Sequence, residues 1–338
     1  MKRELLCVLL TLIILSLQSC NTWEGGKDCP FPDCKLPGVN PELFAPGFIT
    51  GNYQTRDVAI TPDGNEVYFG AYISGFYTIL VSVRNGDGWS EPRVVEHMED
   101  PSYMNIEPAL SYDGTKLFFL SNRPVPGAED RRNEDIWVMD RTDSGWSEPY
   151  NLGPPINSKM AEFFPSITMD GNMYFTRTEP GSQESFIYRS RLVDGEYNKP
   201  EILPEQVNSG VNRYNAFISH DESYIIVPVA GRDDSYGSTD YYIVFRTDDD
   251  NWSLPLNMGS KINTPDGFEH SVYVTRDNKY IFFMSRRLRE KPEKLSWKYL
   301  KDLSCKPESG NPSIYWMKAV LIDSLRNEAV FENDQAGL

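Results

Sequence analysis

Along this chain, a short run of alternating apolar and polar residues leads into an Asp-centred turn, and a second apolar run follows at once. The phrase occurs five times: ITPDGNEVYFG around Asp63, LSYDGTKLFFLSNR around Asp113, ITMDGNMYFTR around Asp170, ISHDESYIIVPV around Asp221 and VTRDNKYIFFMSRR around Asp277. The intervals between those aspartates are 50, 57, 51 and 56 residues. Alternation at period two predicts half-buried strands, and Asp-Gly pairs supply the positive φ of tight hairpins. A repeat of this length built from strands predicts a β-propeller with one blade per repeat.

Each repeat continues past the hairpin. A third alternating run appears at Asp135 to Arg141, Ser185 to Arg191 and Asp240 to Arg246. A turn then leads to GWSEP at Gly88 to Pro92 and Gly145 to Pro149, with looser copies GEYNKP at Gly195 and NWSLP at Asn251. The fourth strand ends in NLGPPINS (Asn151 to Ser158) and NMGSKINT (Asn257 to Thr264). Four strands per repeat make one blade.

The fifth repeat has strands at Ser271 to Thr275, Tyr280 to Ser285 and Ser313 to Val320, but no GWSEP strand after them. PELFAPGFIT (Pro41 to Thr50) resembles a fourth strand that lacks its own repeat. The expectation is an all-β ring of five four-stranded blades over residues 41–320, closed by that N-terminal strand. Closure removes the unpaired edge of an open ring. Six blades are the alternative, and would need further strands within 287–312 or the tail at 321–338, which read as polar loop. These residues resemble the TolB-type, WD-like propeller repeat family, most closely in the stretch Glu107 to Ser158 with its SYDG, SNRP, DIWV and GWSEP phrases. The resemblance implies a propeller and leaves the activity open, because a fold does not name a function.

The N-terminus adds a location. Lys2 and Arg3 precede an apolar run, Leu5 to Leu17, ending in Leu17-Gln18-Ser19-Cys20. That run is short for a membrane span and reads as a secretory signal over residues 1–19. The pattern resembles bacterial lipoproteins, which implies lipidation of Cys20, a tether over 20–40, and, with Asn21 following, an outer-membrane lipoprotein facing periplasm or cell surface. Membrane contact is then through the lipid alone. Cys29 and Cys34 are close enough for a small loop disulfide in an oxidising compartment. Cys305 reads as a free thiol.

Charge narrows the partners. The chain carries a formal −16, or −17 without Lys2, Arg3 and Glu4, which predicts repulsion from nucleic acid phosphates. His97, His220 and His270 are scattered, and the DDSYGSTD stretch from Asp233 to Asp240 lacks EF-hand spacing, so no metal and no cofactor are expected. Trp89, Trp146 and Trp252 recur at one blade position and read as packing between blades. The Asp248–Asp250 run reads as a solvated turn.

A ligand site would lie where first strands begin and second strands end, on the face with the long variable loops. The candidates there are Asp57, Glu107, Glu162, Asn215, Glu269 and His270 at the entries, and Arg123, Arg177, Arg232 and Arg287 at the exits. One reading makes them a ring of ion pairs between blades. The other makes them a polar funnel for a sugar or peptide, with guanidinium forks suited to carboxylates. The functional expectation is a non-enzymatic, monomeric scaffold or binding module for an envelope protein or glycan. The alternative is a glycoside hydrolase using paired rim carboxylates.

Overall fold

The computed structural model describes residues 30–332 except 34, 87, 126, 128–132, 180, 182, 183, 266, 288–292, 305 and 308. The signal, Cys20, both partners of the suggested disulfide and Cys305 lie outside the described residues. Within them the chain folds as a five-bladed β-propeller. The first blade runs Gln54–Ile60, Glu66–Ile73 and Phe76–Asn85, with an outer strand broken into Gly88–Trp89 and Arg93–Val94. The second runs Asn105–Leu110, Lys116–Ser121, Asp135–Thr142 and Tyr150–Asn151; the third, Glu162–Ile167, Met173–Thr178, Ser185–Ser190 and Glu201–Ile202. The fourth has a split first strand (Asn212–Arg213, Phe217–Ile218), then Tyr224–Ala230, Thr239–Phe245 and Leu256–Asn257.

The fifth blade has Val272–Val274, Tyr280–Ser285 and Ser313–Lys318, and its outer strand is Glu42–Leu43 from the other end of the chain. Glu42 faces Trp316 and Leu43 faces Tyr315, while Phe44 donates its N–H to the Ile314 carbonyl at 3.0 Å. Phe44 is fully buried, edge-on to Phe282 and Trp316. The predicted closure is present. Two short helices were not foreseen: α1 (Trp297–Ser304) in the long loop, and α2 (Val320–Arg326), which packs Ile322 and Leu325 onto blades four and five.

Local chemistry explains the hairpin turns. In the first blade Asp63 accepts the Thr61 hydroxyl at 2.6 Å and the Asn65 N–H at 3.1 Å, and Gly64 takes φ +70°. Asparagines stand in for strand backbone where the fourth strand thins out. Asn157, Asn208 and Asn263 each pair a side-chain amide with both the N–H and the C=O of a third-strand residue, Ile136, Ile187 and Tyr241 respectively. Such a pair satisfies buried backbone groups at the cost of one side chain.

Ring closure generates a prediction. Phe44→Ala removes the buried ring that seats the closing strand and is expected to cost about 3–5 kcal/mol. Chemical denaturation measures it, and a loss below about 1 kcal/mol would mean that the strand does not hold the circle.

Candidate functional site

First strands enter the ring through a common distortion. Asp57, Glu107, Phe164 and Asn215 stand at one repeat position, six residues before the turn aspartate, and all have positive φ, from +51° to +61°. Pairing with the second strand shifts register there in the first three blades. Such β-bulges re-aim side chains. Here they place Glu107 and Asn215 at an open mouth, and Phe164 deeper, on the axis of the ring.

The mouth is a depression of about 310 Å³ walled by Tyr77, Phe163, Tyr214 and His270. Its floor is organised by Arg56. That guanidinium donates to Asp57 Oδ2 at 2.7 Å and to Glu107 Oε1 at 2.9 Å, joining blades one and two. Glu107 Oε2 also accepts the Phe164 N–H at 2.8 Å, and Asn215 Nδ2 reaches Oε1 at 3.3 Å. Four blades therefore meet at one carboxylate. Burial pushes the Glu107 carboxyl upward, against the pull of Arg56 and the donors that surround it. His270 is pushed down to about 3 by burial and by Arg56, so it sits neutral, 3.4 Å from the Tyr214 hydroxyl and packed on Phe268.

Below the floor the channel narrows to an apolar space of about 40 Å³. Arg276 closes it at the hairpin face, donating from blade five to the Ser111 and Tyr112 carbonyls of blade two. Beside it, burial holds His220 down at about 4. The axis is a cup with a sealed base.

The remaining candidates sit apart from this cup. Glu162 and Glu269 stand two residues before the bulge position and are fully buried. Glu162 accepts Arg177 Nε at 2.8 Å, and Glu269 accepts the Ser285 and Thr264 hydroxyls at 3.0 and 3.3 Å. Three of the four arginines are staples to the preceding blade: Arg123 donates to the His97 carbonyl, Arg177 to Ile156 at 2.8 Å and Arg287 to Ile262 at 2.9 Å. Arg232 pairs with Asp234 at 3.0 Å and covers Tyr242. At these three exits carbonyls, rather than acids, take the inter-blade arginine bonds.

Asp250 differs from the solvated turn foreseen for it. It takes a two-pronged bond from Arg189, at 2.9 and 2.6 Å, and another from Arg246 at 2.6 Å, which hold its carboxyl well below the usual range. Asp240 caps its own loop by accepting the Tyr236 and Gly237 N–H groups. No cluster of metal-ligating side chains occurs among the described residues. Arg56, Tyr77 and Tyr214 belong to the cup without having stood out in the sequence. The available signal was the column before the bulge, where Arg56 aligns with Ile106, Phe163, Tyr214 and His270.

No family model and no curated protein matches the chain. Among solved structures it is similar to TolB from Acinetobacter baumannii (13% identity, TM-score 0.45), covering 78% of this chain and 57% of that one. The chain thus spans little more than half of that TolB's length. It is also similar to BT0996 in its RGII complex (10% identity, TM-score 0.49, 82% and 92% covered). A third likeness is to XC5397 from Xanthomonas campestris, a gluconolactonase (13% identity, TM-score 0.46, 75% and 81% covered). These likenesses concern overall fold and assign no role to any residue of the cup.

The buried charges can be tested in two ways. Arg56→Met leaves two buried carboxylates without their cation and is expected to cost about 3–5 kcal/mol, more at high pH than at low. Denaturation curves at several pH values check it; a loss independent of pH would contradict the assigned pairing. Burial also raises Glu269, from 4.5 to about 7, so the folded chain holds that proton more tightly than the unfolded one. Its contribution is complete below about pH 4.5 and disappears as pH rises through 7. Between those values wild type should lose on the order of 3 kcal/mol relative to Glu269→Gln. Parallel stability profiles of the two proteins would refute this.

Proposed function

We propose that the protein is a lipid-anchored propeller of the bacterial envelope that binds a glycan or an exposed protein segment in the cup and performs no chemistry on it. One observation carries the reading: the two carboxylates at the centre of the cup, Asp57 and Glu107, already serve as its floor. Asp57 and Glu107 are each only 4% exposed and share the Arg56 guanidinium. Glycoside hydrolysis asks for an acid and a second carboxylate reaching the substrate from a pocket wall. Apart from Glu134, a single carboxylate, the polar and aromatic wall here is made of Tyr77, Phe163, Tyr214 and neutral His270, which offer ring faces and hydroxyls. Rings with a polar tip suit a ligand that is apolar on one side and hydrogen-bonding on the other.

The arginines that suggested an acidic ligand are engaged with carbonyls and acids of the fold, so a neutral ligand fits the cup better. The anchor reading is supported by the Leu17-Gln18-Ser19-Cys20 phrase behind an apolar run. Among the described residues no helix is long and apolar enough to cross a membrane.

Ligand-observed NMR against neutral oligosaccharides and peptides tests the cup. Tyr214→Ala and Tyr77→Ala should each weaken binding at least about tenfold, the equivalent of about 1.4 kcal/mol. Binding that survives both changes would move the site elsewhere, and product formation by wild type would make it an enzyme. For the anchor, Cys20→Ala should abolish lipid labelling and release the protein from the membrane fraction. Unchanged retention in membranes would refute it.

A further inference from the structure

Five blades make five seams, and the chain closes three of them with the same two materials, a tryptophan and an arginine, and a fourth with a helix. In the first blade Trp89 is paired across its hairpin with Arg84, and it packs into the cluster of Phe282 and Trp316 from blade five. In the second, Trp146 is paired with Arg141; its indole N–H donates to the Tyr68 hydroxyl of blade one at 3.1 Å, and the Arg141 guanidinium lies 4.0 Å over the ring. In the fourth, Trp252 is paired with Arg246, which covers it at 5.8 Å, and packs with Tyr174 of blade three. Each of these three indoles is 7% exposed. The seam between blades four and five is filled by α2, whose Ile322 and Leu325 join the core while Arg326 covers Phe245 at 4.7 Å.

The third blade breaks the rule at both positions. The residue in the tryptophan place is Tyr197, and its cross-strand partner is Leu192 in place of arginine. A phenol is smaller than an indole, and leucine brings no cation to cover it. The seam between blades two and three holds an open groove of about 500 Å³. The seam between blades five and one also opens at the hairpin face, over about 430 Å³, but there Pro30 and Phe31 and the cations Arg84, Arg276 and Lys279 line the space. Tyr112, Phe118, Tyr150, Leu152, Leu192 and Tyr197 give it apolar and aromatic walls. Tyr150 remains 41% exposed, and Met169 at the edge 54%. The groove is also acidic. Asp113 and Asp170 stand on its lips, and the one cation lining it among the described residues, Lys116, is already held by Asp140.

The geometry points to this groove as a second binding site, for a segment of a partner protein that presents an aromatic side chain beside an arginine or lysine. That pair is what the chain itself inserts at the equivalent places of blades two and four, and it is what blade three omits. The aromatic ring would rest among Tyr150, Tyr197 and Phe118, while its basic neighbour would meet Asp113 and Asp170. Ring burial supplies most of the attraction, and the cation is favoured both by the carboxylates and by tyrosine faces. The site lies between the outer strands and the hairpin face, away from the cup.

N-acetyl-Trp-Arg-amide is the probe, titrated into the full chain with the shifts of groove tyrosines followed by NMR. It should bind wild type, and the acidic analogue N-acetyl-Trp-Glu-amide should bind at least about tenfold more weakly. Tyr197→Trp combined with Leu192→Arg should fill the seam, raise the melting temperature and abolish probe binding. Tyr150→Ala, a surface change, should abolish binding without a change in folding. Tyr214→Ala, in the cup, should leave it intact. Three outcomes overturn the proposal: no shift at the groove with the basic probe, equal affinity for the acidic one, or unchanged binding in the Tyr150 variant. Perturbation of the groove tyrosines by a neutral oligosaccharide, without any by the dipeptide, would overturn it as well.

Discussion

The pairing of Glu42–Phe44 with the third strand of blade five holds everything else in place. Each blade has a curved sheet with two faces to bury, and only a closed circle gives every face a neighbour. Without the N-terminal strand, the third strand of blade five would present Ser313–Lys318 as an unpaired edge, and the aromatic cluster of Phe44, Phe282 and Trp316 would open to water. The cup depends on the same closure, since Arg56 on blade one and His270 on blade five meet across the final join.

Much of this was legible in the residues. Period-two alternation, five turn aspartates and the missing fifth GWSEP phrase are backbone statements, and backbone requirements repeat with the blade. The burial of Trp89, Trp146 and Trp252 followed from the same logic. The helix α2 was harder to see, because seven residues carry little helical period and its helicity depends on the blade surface it covers.

The site was only partly legible, for an instructive reason. Arg123, Arg177 and Arg287 drew attention because they recur, and in three blades they recur as donors to a carbonyl of the loop before the blade. Repetition marks architecture. Specific chemistry lies where a column is interrupted, as at Arg56 among Ile106, Phe163 and Tyr214, or at Tyr197 among tryptophans. Aligning the repeats exposes those interruptions, but only the folded ring reveals that Arg56 bonds an acid 51 residues away.

The join between distant segments also sets an order of events. Glu42–Leu43 leaves the ribosome before every other strand of the ring, yet its partner, Ser313–Lys318, leaves after all of them. For most of synthesis, and through any passage across a membrane, four blades can stack while the first-made strand has no place to go. The final step of folding is then an encounter between segments about 270 residues apart, a slow search by the usual dependence of rate on sequence separation. A chain of this design spends that interval with two unpaired strand edges, the adhesive surface that closure removes.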